Sequence, residues 1–338
     1  MTSTETTHQT PAPTARSEAG RAPWWWPCGV DQHRINLAYL YDAFREAKNS
    51  DNRFAPCVKF ARAREREAAD KLAVSIPDAG FVFRSEREFL DRAAAYLAAH
   101  QGVTSIVVAG AGLPNIVGTR DLHSIVRRRE AATRNREQFT TRASVIYVER
   151  DPLVCAELRT LAHADSGVYV VDADPWDPTA MWDTLYNTGS ENPGLVSPDY
   201  DRIGLLLGGV MSFHGGSRAD VADVVQAHLA GLPVGAFLAM THLFLPEHPD
   251  LAAQALEFAA ALRDNVAGIG SLASEGEIEA MLRGTTLLPP GIVPAFTWYP
   301  DGPPTDPPVC GNFTAAVLAQ KPGPDDDLPE PPWRPEVS

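Results

Sequence analysis

The chain is poor in cysteine and in positive charge, and it contains no long apolar run. Its four cysteines, Cys28, Cys57, Cys155 and Cys310, are scattered over 338 residues. No two form a C-x-x-C pair, so neither a zinc site nor a disulfide framework organises the fold, and no metal is expected. Such usage fits a reducing, cytoplasmic setting. Lysine and arginine total 29 against 43 acidic residues, a formal net charge of −14. General nucleic-acid binding needs a basic surface, which this balance argues against. No segment approaches the roughly 20 apolar residues of a membrane span. A G-x-x-x-x-G-K-[ST] phosphate loop is also missing.

What remains is material for a sizeable core, with 44% hydrophobic residues. The centre of the pattern is Thr104–Gly112, T-S-I-V-V-A-G-A-G. Ser105–Ala109 is a short β-branched run that stops at glycine and reads as a buried parallel strand. Gly110-Ala111-Gly112 then forms a tight turn, and Leu113-Pro114-Asn115 reads as a helix start. Strand, glycine turn and helix start bring bare backbone up to a ligand.

Strands and helices alternate from there. Strands are expected at Ser144–Glu149, Gly167–Val171, Arg202–Leu207 and Gly235–Thr241. The helices between and after them are Pro152–Ala162, Pro178–Tyr186, Arg218–Ala230 and Leu251–Val266. This alternation predicts right-handed crossovers and a mostly parallel sheet. After a helix at Glu275–Leu282, Thr285–Leu288 and Asn312–Ala319 are not separated by a long helix, so they are expected to close the sheet as an antiparallel hairpin.

Upstream, three helical stretches are expected at Ile35–Ala47, Val58–Ser75 and Ser85–His100. The last opens on a Ser85-to-Glu88 capping pattern. They form a candidate cap over the carboxyl end of the sheet, whose exposed face is a candidate homodimer surface. The expected organisation is a disordered tail at 1–22, a helical cap at 23–102, an α/β domain at 103–321 and a Pro/Asp-rich tail at 322–338. Trp24-Trp25-Trp26 reads as a packing anchor or as the wall of a pocket. The six arginines within Arg127–Arg142 read as a solvated helix end and insertion, or as a clamp for an acidic partner.

The chemistry lies at strand ends. Glu149 closes the second strand, where an acid can accept hydrogen bonds from both hydroxyls of a ribose. Asp174 follows the third, where a carboxylate can accept an adenine amine. Asn115 stands where the third glycine of a dinucleotide fingerprint would fall, so an adenosine ligand without a pyrophosphate fits best.

These motifs bring a family into view. The chain resembles the bacterial S-adenosyl methyltransferase family, formerly a domain of unknown function, over about 33–322. The resemblance rests on Ala109–Pro114, Ile146–Pro152, Val170–Asp174, Pro290–Pro294, Trp298 and Lys321-Pro322. It implies a Rossmann-like class I methyltransferase fold, with a seven-stranded sheet, an antiparallel C-terminal hairpin and the helical cap. It also implies S-adenosyl-L-methionine, or its product S-adenosyl-L-homocysteine, bound at Gly110, Ala111 and Gly112. Glu149 would take the ribose and Asp174 the adenine, with Arg150, Asp172 and Ala173 beside them. Family members usually carry an Asp two residues before the first glycine, where this chain has Val108. They usually carry His-Phe where it has Ser212-Phe213, and their N-terminal helix has glycines missing from Tyr41–Ser50.

Methyl transfer is an in-line displacement in which the protein chiefly supplies alignment, with a base for some acceptors. His214 and His242, both at the predicted carboxyl edge, are the candidate bases, and Tyr41 is a candidate wall of the acceptor pocket. The expected activity is methylation of a small molecule in secondary metabolism. Two alternatives stay open. One is a sensor or interaction module that binds the cofactor without transfer, and the other is a cyclase-type enzyme on the same fold.

Overall fold

The structure, a computed structural model, describes residues 35–46, 63–114, 121–133, 142–187, 194–265, 270–298 and 306–323. The tryptophan triplet, Asn115, residues 134–141 of the arginine-rich insertion and the C-terminal tail beyond 323 lie outside the described residues.

Five parallel strands form the body of the sheet. They are β1 (Ser105–Ala109), β2 (Ser144–Glu149), β3 (Val168–Asp172), β4 (Ile203–Gly208) and β5 (Phe237–Leu243). β8 (Thr314–Gln320) runs antiparallel to β5. The two-residue strands β6 (Thr286–Leu287) and β7 (Val293–Pro294) pair antiparallel with β8, at Ala319–Gln320 and Ala315–Ala316 respectively. The expected seven strands thus become eight because the last edge is split. Leu288–Ile292, with a cis Pro289–Pro290 bond, separates its two halves. The order is β3-β2-β1-β4-β5-β8-β6. The chain leaves β1 in one direction and returns beside it as β4, so the switch point for ligand binding lies between these two strands.

Side chains alternate across the sheet, as strand geometry requires. Ile106, Val108, Val145, Tyr147, Leu206, Phe237 and Ala239 fill one face. Val107, Ala109, Ile146, Val148, Leu205, Leu207 and Met240 fill the other. The first face packs on α3 (Gly80–His100), α4 (Leu122–Thr133) and α5 (Pro152–Ala162). The second packs on α6 (Pro178–Tyr186), α7 (Arg218–Gly231) and α9 (Glu275–Met281).

Local chemistry sets the helix starts. Asp151 and Asp177 accept backbone N–H groups at the N-caps of α5 and α6, each followed by proline at the first helical position. Ser217–Asp220 and Ser274–Glu277 form capping boxes on α7 and α9.

A third apolar cluster lies beyond the carboxyl edge. It joins α1 (Leu37–Glu46), α2 (Ala63–Ser75), the first turns of α3 and α8 (Pro249–Asn265) through Leu40, Phe44, Leu72, Phe83 and Phe258. Phe44 and Phe83 stack with centroids 4.2 Å apart. This is the helical cap, but α3 does more than cap. Its second half covers the sheet, close enough that a Cβ on Gly208 would stand 2.3 Å from Leu90.

Two local expectations are corrected. α3 begins at Gly80, and Ser85 is buried inside it, donating to the Val82 carbonyl at 2.9 Å. The S-x-x-E spacing is a match in letters only, because Phe81, Val82 and Phe83 already carry the helix's packed face. Leu113 and Pro114 are not helical, and α4 starts at Leu122. Arg127 and Arg142 serve the fold. Arg127 donates to Glu130 at 3.2 Å and pairs with Asp165 at 3.5 Å, and Arg142 also pairs with Asp165.

Candidate cofactor site

The turn after β1 stands at the switch point. Gly110 and Ala111 donate to the Val148 carbonyl at 2.9 and 3.1 Å, which pins the turn to β2. The Ala111 methyl packs into the core. Gly110 and Gly112 have φ of +73° and +65°, the left-handed region. Their surroundings differ. A Cβ on Gly110 would stand 2.3 Å from Val210 Cγ2, so this glycine is required by the protein itself. A Cβ on Gly112 would meet nothing within 4 Å. Of these two glycines, Gly112 is the one that presents bare backbone to open space.

Glu149 reaches that turn. Its Oε2 accepts the Gly112 N–H at 3.0 Å, and its Oε1 accepts the N–H groups of Arg150 and Asp151 at 2.9 and 3.1 Å. Burial, the largest effect, leaves its carboxyl above the ordinary range, and these three bonds offset only part of that. An ionised carboxylate offers about four acceptor positions. Three are taken, so one remains, on Oε2. As it stands Glu149 has room for one further donor rather than two.

Asp172 lies opposite Glu149 in the β2–β3 register and is exposed. Ala173 donates to the Glu149 carbonyl at 3.2 Å. Asp174 accepts the Trp176 N–H at 2.9 Å and pairs with Arg150 at 3.2 Å. The Arg150 guanidinium lies 4.2 Å from the centroid of the Trp176 ring. Trp176 was not anticipated, although an aromatic two residues beyond a strand-end acid is a visible signal. Its Nε1 donates to the Val210 carbonyl at 3.1 Å, and the His214 ring meets it edge-on at 5.4 Å. The structure therefore gathers Gly110–Gly112, Glu149, Arg150, Asp174, Trp176 and His214 around one edge.

The two histidines do not present a free basic nitrogen. His242 is fully buried in β5. Its Nδ1–H donates to the Leu243 carbonyl at 2.7 Å, and its Nε2 accepts from Arg218 at 2.8 Å. Burial, with Arg218 adding to it, pushes its pKa down to about 4. The geometry corrects the expectation of a base there: His242 is a neutral pin between β5 and α7. His214 accepts the Gly216 N–H on Nδ1 at 3.1 Å, so the neutral ring carries its proton on Nε2. It can donate to a ligand, but it must break that bond before it can accept a proton.

Tyr41 lies on α1 at the same edge, its ring against Phe83 and Phe213. Its hydroxyl donates to Glu86 Oε2 at 2.7 Å. Glu86, on α3, was missed by sequence reasoning. The available signal was an acid inside the apolar stripe Val82, Phe83, Phe89, Leu90 and Ala93. α1 is also tied to the acidic strand end, since Asn36 donates to Asp151.

A Rossmann-like α/β protein with an open glycine turn and an acid at its switch point defines a nucleotide-type class. A family model described as S-adenosyl methyltransferase matches residues 59–322. The chain belongs to that family, and its cofactor is S-adenosyl-L-methionine. Among solved structures, a candidate methyltransferase from Thermobifida fusca is 25% identical with a TM-score of 0.67, covering 89% of this chain and 100% of that one. A DUF574 family protein from Streptomyces avermitilis is 21% identical with a TM-score of 0.66, covering 86% and 98%. No curated protein matches the sequence significantly. The residues fit the cofactor in two respects, the open backbone at Gly112 and the unused acceptor position on Glu149. Among the described residues no helix is long and apolar enough to cross a membrane, and no side-chain cluster is suited to a metal ion.

Proposed function

We propose that this protein transfers the methyl group of S-adenosyl-L-methionine to a small molecule of secondary metabolism. The observation that carries the reading is Gly112, bare backbone facing open space, with its N–H held by the one carboxylate that ends β2. The cofactor supplies an activated methyl group on a sulfonium. The chain's own part is to hold and orient. Gly112 lets a nucleoside approach the backbone, Glu149 accepts a ribose hydroxyl on its remaining lone pair, and Asp174 accepts the adenine amine. Arg150 and Trp176 offer stacking faces beside it. Tyr41 and Phe83 of the cap, with Phe213 from the turn after β4, supply an aromatic wall for the acceptor, and His214 can donate from Nε2.

Such alignment suffices for an acceptor that is already a good nucleophile. A second reading, cofactor binding without transfer, is favoured by the engagement of both histidines. One experiment separates the two. The protein is incubated with methyl-labelled cofactor and a cell extract that is then fractionated by size. Label in small molecules supports the proposal, whereas calorimetric binding without any transfer supports the second reading. Absence of binding by cofactor and product sinks both.

A further inference from the structure

Glu86 is a carboxylate where the fold alone gives little reason for one. It is 1% exposed, on the packed stripe of α3. Its partners are three hydroxyls: Tyr41 at 2.7 Å on Oε2, Thr314 at 3.0 Å on Oε1, and Thr241. None of the three carries a positive charge, and among the described residues no lysine, arginine or histidine pairs with Glu86. Buried charges are ordinarily paired, because hydroxyls offset only part of the cost of removing a carboxylate from water. Burial accordingly pushes this carboxyl up to about 7.

Its position is specific. A Cβ on Gly209, the residue after β4, would stand 2.8 Å from Glu86 Oε2 and 2.4 Å from the Tyr41 hydroxyl. Gly209 has φ of +67°, and its N–H donates to Thr241 at 2.8 Å. The next residue, Val210, is the one that packs on Gly110 of the turn. Glu86 is thus linked to the glycine turn through two consecutive residues at the switch point. Tyr41 covers it and is itself only partly buried.

We propose that the Glu86 carboxylate is the counter-ion for the cationic methionine end of the cofactor, with Tyr41 holding it in place. The inference rests on the methyltransferase reading and deepens it. The ligand brings two positive groups, an ammonium and a sulfonium, to an edge where Glu86 is a deeply buried acid whose partners are all neutral hydroxyls. Tyr41 is the movable partner, since the Thr241 and Thr314 bonds come from strands.

Titration calorimetry at pH 8 with three compounds tests this. S-adenosyl-L-methionine carries both cations, S-adenosyl-L-homocysteine the ammonium only, and 5′-methylthioadenosine neither. Glu86→Gln keeps the shape and removes the charge, and it is expected to weaken S-adenosyl-L-methionine about tenfold or more. Methylthioadenosine should bind within about twofold of wild type, which also shows that the variant is folded. An equal loss for the homocysteine compound assigns the ammonium, and no loss for it assigns the sulfonium. Tyr41→Phe, which keeps the carboxylate but removes the bond that holds it, should reduce the preference for S-adenosyl-L-methionine over methylthioadenosine by less than Glu86→Gln does. The proposal is overturned if Glu86→Gln binds all three as wild type does, if it weakens all three alike, or if Tyr41→Phe loses the preference to the same extent. Failure of wild type to bind any of the three instead overturns the methyltransferase reading, and this inference with it.

Discussion

Substituting alanine for Gly112 tests the cofactor site more sharply than removing a carboxylate would. The added methyl meets no protein atom within 4 Å, so no steric cost arises inside the fold. The backbone cost remains, because φ is +65° and an L-residue pays about 1–2 kcal/mol there. The N–H to Glu149 is a backbone donor and survives the change. Gly112→Ala should therefore lose about 1–2 kcal/mol in urea denaturation and keep its fold. The methyl would stand where a nucleoside must approach the turn. A clash of that size costs about 1–3 kcal/mol, which corresponds to roughly fivefold to 150-fold weaker cofactor binding. Gly110→Ala is the contrast. Its Cβ would stand 2.3 Å from Val210 in addition to the backbone cost, so it should lose about 2–5 kcal/mol. Calorimetry with S-adenosyl-L-homocysteine reads the affinity of each. If Gly112→Ala binds as tightly as wild type, the nucleoside does not lie over this turn and the reasoning is refuted.

Three further outcomes are expected. Glu86 is protonated in the folded state between about pH 4.5 and 7 and ionised in the unfolded chain, so stability falls as pH rises through that window. The gap amounts to about 3 kcal/mol, and the denaturation profile of Glu86→Gln should lack this fall; parallel profiles would refute it. His228 and His242 are held neutral, both down to about 4, while unfolded histidine titrates near 6.5. Their contribution is complete above pH 6.5 and fades toward pH 4, by an order of 3 kcal/mol each, so His242→Gln should flatten the acid limb of the stability curve. Trp298 is fully buried against Phe89 and Tyr96, and Trp298→Ala should cost about 3–5 kcal/mol in urea denaturation.

The parts of the fold that declared themselves in the sequence are those where local and global signals agree. β1 and β2 are β-branched runs bounded by turns, and α5 and α6 begin at Asp-Pro pairs, so their limits could be read directly. α3 could not, because it starts without a side-chain cap and its first turns are defined only by the cap cluster they join. The site divides in the same way. Gly112 and Glu149 come from one strand end and its neighbour, and a pattern of strands predicts their meeting. Glu86 becomes intelligible only when Tyr41, Gly209, Thr241 and Thr314, from four distant segments, are seen around it. The histidines mislead for a related reason. A ring at a strand end looks available until Arg218, or the N–H of Gly216, is found on its nitrogen.

The divided margin formed by β6 and β7 bears on how copies of the chain can meet. Each piece offers only two residues of ladder, and the segment between them turns away after one further bond to β8, from the Leu288 N–H to the Leu318 carbonyl at 2.8 Å. A foreign strand arriving there would find no continuous row of amide donors and acceptors to zip onto, which protects against runaway stacking. Self-association by strand addition across that border is thereby discouraged.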